Sequence, residues 1–195
     1  MPVWKKNNTS SWKQSLFIII LLSWSHVVNS KPTSGIDIKH ASGTLNKDTY
    51  YVDAYIQYQF SEETQEALEH GIALQIDINL DVKKQRKWLW DKKIKSTTMS
   101  YRLEHHPLSG HYQVTNLNNY HRKHFQNIQG ALSSLGLIKN FPLFNTIILM
   151  PDSVYIAQIK AKLNIQTLPA PLRLLAYVSS NWHLASPWYE WVIQQ

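Results

Sequence analysis

A stretch of strict two-residue periodicity limits what this chain can become. Within residues 71–117, Ile72, Leu74, Ile76, Ile78, Leu80 and Val82 fall on one parity, and Ala73, Gln75, Asp77, Asn79, Asp81 and Lys83 fall on the other. Successive side chains of a strand point to opposite faces, whereas a helix would scatter six aliphatics around its circumference. The pattern predicts a long strand with one buried and one wet face, Asp77 and Asp81 lying on the wet one. Thr97, Met99, Tyr101 and Leu103 then alternate with Thr98, Ser100, Arg102 and Glu104. Pro107-Leu108-Ser109-Gly110 supplies turn chemistry, and Tyr112 and Val114 carry a return strand. The result is a meander of three consecutive antiparallel strands.

Elements on either side follow the same logic. Residues 36–41 alternate weakly and predict a short first strand closed by a Ser42-Gly43 turn. Residues 50–60 alternate strongly, with Tyr50, Val52, Ala54, Ile56, Tyr58 and Phe60 on one parity. Ser61 is placed to cap a helix, with Glu62 and Glu63 in its positively polarised first turn and Gly71 at its end. Phe125, Ile128, Leu132 and Leu135 predict a second helix over residues 120–135, stopped by Gly136. A strand over residues 153–165 follows, then a break at Leu168-Pro169-Ala170-Pro171 and a short helix over 172–178. The aromatic tail (Trp182, Trp188, Tyr189, Trp191) either closes the core or offers a platform for a glycan or peptide. Together these elements predict a mainly β, α+β domain: an antiparallel sheet folded toward a sandwich, flanked by two or three helices.

The first thirty residues differ in kind. Lys5, Lys6 and Lys13 stand without an acidic residue, Leu16-Phe17-Ile18-Ile19-Ile20-Leu21-Leu22 is an apolar heart, and Val28-Asn29-Ser30 precedes Lys31. Residues 1–30 therefore read as a secretory signal peptide and 31–195 as a single domain. The apolar heart is short of the roughly 20 residues a membrane span needs, which favours cleavage over retention as an anchor. Residues 146–150 form a run sized for a core. The expected location is the periplasm, with tethering to the inner membrane only if the leader is retained. The whole chain carries a net charge of +7, which becomes +4 when the three leader lysines are removed. There is no cysteine, which excludes disulfides, thiol catalysis and cysteine-type zinc sites.

Two constellations carry chemistry. Lys83, Lys84, Arg86, Lys87, Lys92, Lys93 and Lys95 crowd around Trp88 and Trp90, offset only by Asp91. Such a mixture suits anionic headgroups or a protein partner. It is equally what the solvated ends of two strands look like, where lysines deter edge aggregation. Single-stranded nucleic acid would suit it too, but export removes that partner. His105, His106 and His111 flank the turn and are the candidate metal ligands. A tetrahedral site needs three or four converging ligands, however, and adjacent His105 and His106 point to opposite faces. No Gly-x-Ser-x-Gly, His-Glu-x-x-His or glycine-rich phosphate loop is present, so neither a catalytic residue nor a cofactor is expected.

A longer ordered series now stands out. It runs from Ala67-Leu68-Glu69-His70-Gly71-Ile72-Ala73-Leu74 through Arg86-Lys87-Trp88, Tyr101-Arg102-Leu103, His106-Pro107-Leu108 and Tyr112. It continues with Phe125, Ala131-Leu132, Tyr155, Leu163 and Leu168-Pro169-Ala170-Pro171-Leu172-Arg173, and ends with Trp182-His183-Leu184-Ala185-Ser186, Trp188 and Trp191. The series resembles the DUF4390 family of proteobacterial exported proteins of unknown function, over essentially the whole of residues 31–195. The resemblance implies an envelope protein, encoded beside a membrane sensor kinase and without known catalytic residues. The functional expectation is a non-enzymatic periplasmic binding or accessory module, in contact with the inner-membrane surface or a sensor kinase. The competing expectation is an envelope metal-binding protein or hydrolase using the His105–His111 turn.

Overall fold

The alternating stretch becomes the central strand of a six-stranded sheet. The computed structural model describes residues 1–2, 34–145, 149–150 and 153–193. Residues 3–30 of the expected leader and residues 146–148 of the run 146–150 lie outside the described residues. The chain divides into Met1–Pro32 and Thr33–Gln195, and the architecture below is that of the second unit. In order it comprises β1 (Gly35–Asn46), β2 (Thr49–Gln59), α1 (Glu62–Glu69), β3 (Leu74–Lys84), β4 (Lys92–His106), β5 (His111–Asn116) and β6 (Arg122–Phe125). There follow α2 (Ile128–Gly136), β7 (Leu137–Asn145), β8 (Tyr155–Leu163), α3 (Ala170–Val178) and β9 (Tyr189–Val192).

Two antiparallel sheets result, one ordered β1-β2-β7 and the other β6-β5-β4-β3-β8-β9. The meander is β3-β4-β5, at the heart of the larger sheet. Between the sheets lies one apolar cluster. Ile36, Ile38, Val52, Ile56 and Tyr58 enter it from the small sheet, and Leu74, Ile76, Ile78, Leu80, Val82, Ile159 and Leu163 from the large one. The fold is thus a mainly β, α+β sandwich with three helices among the described residues, as the patterning predicts.

Three local expectations are overturned. First, the strand does not stop at Ser42-Gly43; β1 continues to Asn46, and the turn is made by Lys47 at φ 53°. Gly43 serves a close approach rather than a turn, since a side chain there would collide with the ring of Tyr50. Second, residues 122–125 are an edge strand paired with β5, and the helix begins only at Ile128. Asn127 accepts from the Gly130 amide at 2.8 Å and fixes that start, so Phe125 belongs to β6 rather than to the helical stripe. Third, β3 is buried on both faces. Asp77 and Asp81 are only 7% and 3% exposed, Asp77 bonded by Ser100, Gln75 and Asn164 and Asp81 by Ser96, Gln158 and Lys93. By contrast Ser61 caps α1 as expected, accepting from the Thr64 amide at 3.2 Å.

Candidate functional site

The most prominent surface feature is the connection between β3 and β4. The last two rungs of that hairpin pair Lys83 with Lys93 and Lys84 with Lys92. Like charges directly opposite on antiparallel strands are destabilising. Beyond them, the loop over residues 85–91 lifts Trp88, Leu89 and Trp90 away from the body, exposed to 94%, 66% and 92%. Large aromatics are normally at least half-buried, so a tip of this composition has no counterpart in the chain's own packing. At its base lies a cleft of about 440 Å³ lined by Gln85, Arg86, Lys87, Ser153 and Val154. Two cationic side chains thus line a cavity directly beneath the aromatic tip.

One of the sequence-predicted basic residues is not free. Lys93 lies 2.7 Å from the carboxylate of Asp81, at the end of a polar ladder on the outer face of the large sheet. Each rung of that ladder is a cross-strand pair. Ser96 donates to Asp81 at 2.6 Å, Thr98 to Asn79 at 2.9 Å and Ser100 to Asp77 at 2.7 Å. Gln158 of β8 adds a bond to Asp81, and Gln75 and Asn164 complete the set around Asp77. Burial alone would raise the pKa of Asp81. The bonds from Lys93, Ser96 and Gln158 and the Lys93 charge outweigh that, and hold it below the usual carboxylate value. Both carboxylates therefore have their lone pairs engaged, and Asp81 is a poor proton acceptor. The ladder ties strands together. It also splits the cationic stretch: Lys93 is paired with Asp81, while Arg86 and Lys87 lie in the loop and Lys84 and Lys92 form the rung that closes it.

The histidine turn is built differently from a metal centre. His106 and His111 are register partners across the β4–β5 hairpin, but His105 faces away from them. Its ring bonds the carbonyl of Glu69 at 2.9 Å and packs on Tyr112 with centroids 4.5 Å apart. Among the described residues no group of three or more His, Cys, Asp or Glu is placed to hold a metal ion. The aromatic tail divides between its two expectations. Trp182 is buried and Trp191 packs against the core, whereas Trp188 is 39% exposed, with Lys160 over its ring at 5.8 Å. Sequence reasoning missed Leu89 and the β4 hydroxyls. The Ser96, Thr98, Ser100 alternation was the signal for the latter, set two residues apart and opposite the acidic parity of β3.

A mainly β sandwich with a cationic, tryptophan-tipped hairpin is thus the class of protein that the fold and site define. The chain belongs to the DUF4390 family, described as a domain of unknown function, whose model matches residues 33–192. Neither a curated protein nor a solved structure matches it.

Proposed function

We propose that this protein is a non-enzymatic accessory module of the cell envelope, exported to the periplasm, that rests on an anionic membrane surface through the β3–β4 loop. One observation carries the reading: Trp88 and Trp90 stand almost fully exposed on a hairpin whose closing rungs are lysine opposite lysine. Tryptophan favours the headgroup level of a bilayer, and each nearby Lys or Arg adds roughly 1 kcal/mol of attraction to an anionic leaflet. Lys93 is already offset by Asp81, and the repulsion left at the Lys84–Lys92 rung is relieved when anionic headgroups approach. The cleft holding Arg86 and Lys87 suits a phosphate group beneath the inserted rings. The lysine-rich start and apolar heart of residues 1–30, read as a secretory leader, support the envelope setting. A membrane sensor kinase would then meet the module on the same surface.

Flotation with vesicles of 30% phosphatidylglycerol in phosphatidylcholine tests this. The protein should float with them at low salt, less so at physiological salt, and not with pure phosphatidylcholine. Exchanging Lys84, Arg86, Lys87 and Lys92 for Gln should abolish flotation while leaving the melting temperature in place. If the unaltered protein stays in solution at low salt, or the quadruple variant floats as well, the loop is a solvated strand end and the proposal fails.

A further inference from the structure

A second surface lies at the opposite end of β3. Helix α3 is apolar almost throughout, yet Ala176 is its only buried residue. Leu174, Leu175, Tyr177 and Val178 are exposed to 71%, 59%, 53% and 83%. A helix apolar on every side is ordinarily enclosed by its own fold, and exposed apolar area of this kind marks an interaction site. Beside it an open groove of about 470 Å³ runs between α3 and α1. Ala67, Ile72, Leu172, Leu175 and Trp182 give it an apolar lining.

The charge around the groove says what fits there. Glu63 and Glu66 of α1 line it, together with His70, and neither carboxylate is in an ion pair among the described residues. Glu62 and Glu69 of the same helix add two more acids, and α1 carries no basic residue to offset them. In a chain of net charge +7 this is a local reversal of sign. It would repel an anionic bilayer, which separates this face from the tryptophan loop. An apolar floor with acidic walls matches an amphipathic helix whose polar face bears lysine or arginine, docked by its i, i+3, i+4, i+7 apolar row. The site is also built to stay put. Ser61 and Thr64 both bond the carbonyl of Asn181, at 2.9 and 3.2 Å, and fix the start of α1 to the segment that follows α3.

We propose that the α1–α3 groove is a docking site for a basic amphipathic helix of a partner protein. Ile72 lines the groove just before β3, and the loop follows Lys84, so at about 3.3 Å per residue the two surfaces lie roughly 35–40 Å apart along the strand. A partner helix held there would stand off from a surface engaged by the loop. The inference does not depend on the loop's role, since the residues are separate.

The test uses an 18-residue Leu–Lys amphipathic helix as probe, with a Leu–Glu helix of identical pattern as control, titrated into the isotope-labelled protein. The Leu–Lys peptide should bind, shifting amide resonances in α1, α3 and at Ile72, and the Leu–Glu peptide should not. Leu175→Asp should weaken binding at least tenfold. The double variant Glu63→Lys, Glu66→Lys should weaken it as much and reverse the preference between peptides. All three positions line an open groove, and Glu63 gives up only an exposed bond from the Asn181 amide, so the variants should keep the fold, which the dispersion of the amide spectrum in the same experiment reads. Equal binding of both peptides, shifts centred on residues 85–91, or binding unaffected by Leu175→Asp would overturn the proposal. So would neutral phosphatidylcholine vesicles that capture the protein in competition with the peptide, which would make this face a membrane contact.

Discussion

The indole N–H of Trp191 donates to the hydroxyl of Tyr50 at 3.0 Å, joining β9 of the large sheet to β2 of the small one. The Tyr50 ring stacks on Phe144 with centroids 5.3 Å apart. The bond lies where the last strand closes over the sandwich, far along the chain from its partner. Trp191→Phe and Tyr50→Phe should each cost about 1 kcal/mol, the usual net worth of one such bond. Because both remove the same interaction, the double variant should lose less than the sum. Urea unfolding of the three variants measures this, and strict additivity would mean that the bond contributes nothing.

Gly136 ends α2 against β2, where any side chain would collide with the backbone carbonyl of Ile56. Backbone in the middle of a sheet cannot yield as a side chain can. Gly136→Ala should therefore cost at least about 3 kcal/mol. Gly35→Ala, where nothing lies within 4 Å of the added methyl, should change the melting temperature little. A scan of both variants by thermal unfolding separates packing from helix and strand propensity.

Tyr58 presents the opposite case. Its hydroxyl is buried without a hydrogen-bond partner, and burial lifts its pKa far above the ordinary phenol value, with Tyr101 adding to the effect. An unsatisfied buried polar group is a cost that the fold carries. Tyr58→Phe should therefore raise stability, by about 1 kcal/mol. A loss of similar size in urea would show that the hydroxyl does have a partner.

Both faces of β3 should register in mutational data. Ile78→Ala should cost about 2–5 kcal/mol as a core truncation. Asp81→Ala should cost about 1–3 kcal/mol, because Ser96, Gln158 and Lys93 lose their common acceptor. A solvated carboxylate would have shown less than about 0.5 kcal/mol.

The same carboxylate gives a pH dependence of definite sign. Asp81 is held below its ordinary pKa in the folded state, so at mildly acidic pH the unfolded chain binds the additional proton. Its contribution is complete above the unfolded value of about 3.9 and is lost as pH falls through the lower folded value. Stability against urea should drop over that interval in the parent protein and be flatter in Asp81→Asn. An identical acid limb in the two proteins would remove Asp81 from the account.

Much of this architecture was legible from periodicity alone. The parity of Ile72 to Val82, the cap at Ser61 and the alternation of residues 155–163 each state their element, because one buried face imposes one pattern. What escaped has a physical reason in each case. Gly43 looked like a turn because glycine is used both for turns and for close approach, and only the position of the Tyr50 ring separates the two. Arg122 to Phe125 carry too few apolar residues to announce an edge strand, and pairing with β5 supplies what the sequence lacks. Asp77 and Asp81 alternate just as solvated residues would, since enclosure by polar partners on neighbouring strands leaves no mark on parity. The loop's basic residues and tryptophans were visible as a cluster. That Lys93 is paired with Asp81, and that Leu89 joins the tip, depended on the hairpin register.

The hydroxyl–carboxylate rungs between β3 and β4 also bear on how the chain finds its fold. Two long strands of alternating character can pair in several alignments, and apolar contacts alone distinguish poorly among those that differ by two residues. A slip of one residue would drive Asp77, Asn79 and Asp81 into the apolar interior. A slip of two keeps the parity but sets Asp81 opposite Thr98 or Ile94's neighbourhood, out of step with Ser96 and Lys93. In the native alignment Ser96, Thr98 and Ser100 each meet an acceptor across the hairpin, and Lys93 reaches Asp81 as well. The ladder thus weights the native pairing of the central hairpin, with the Lys93–Asp81 pair at its end adding to the preference for that register.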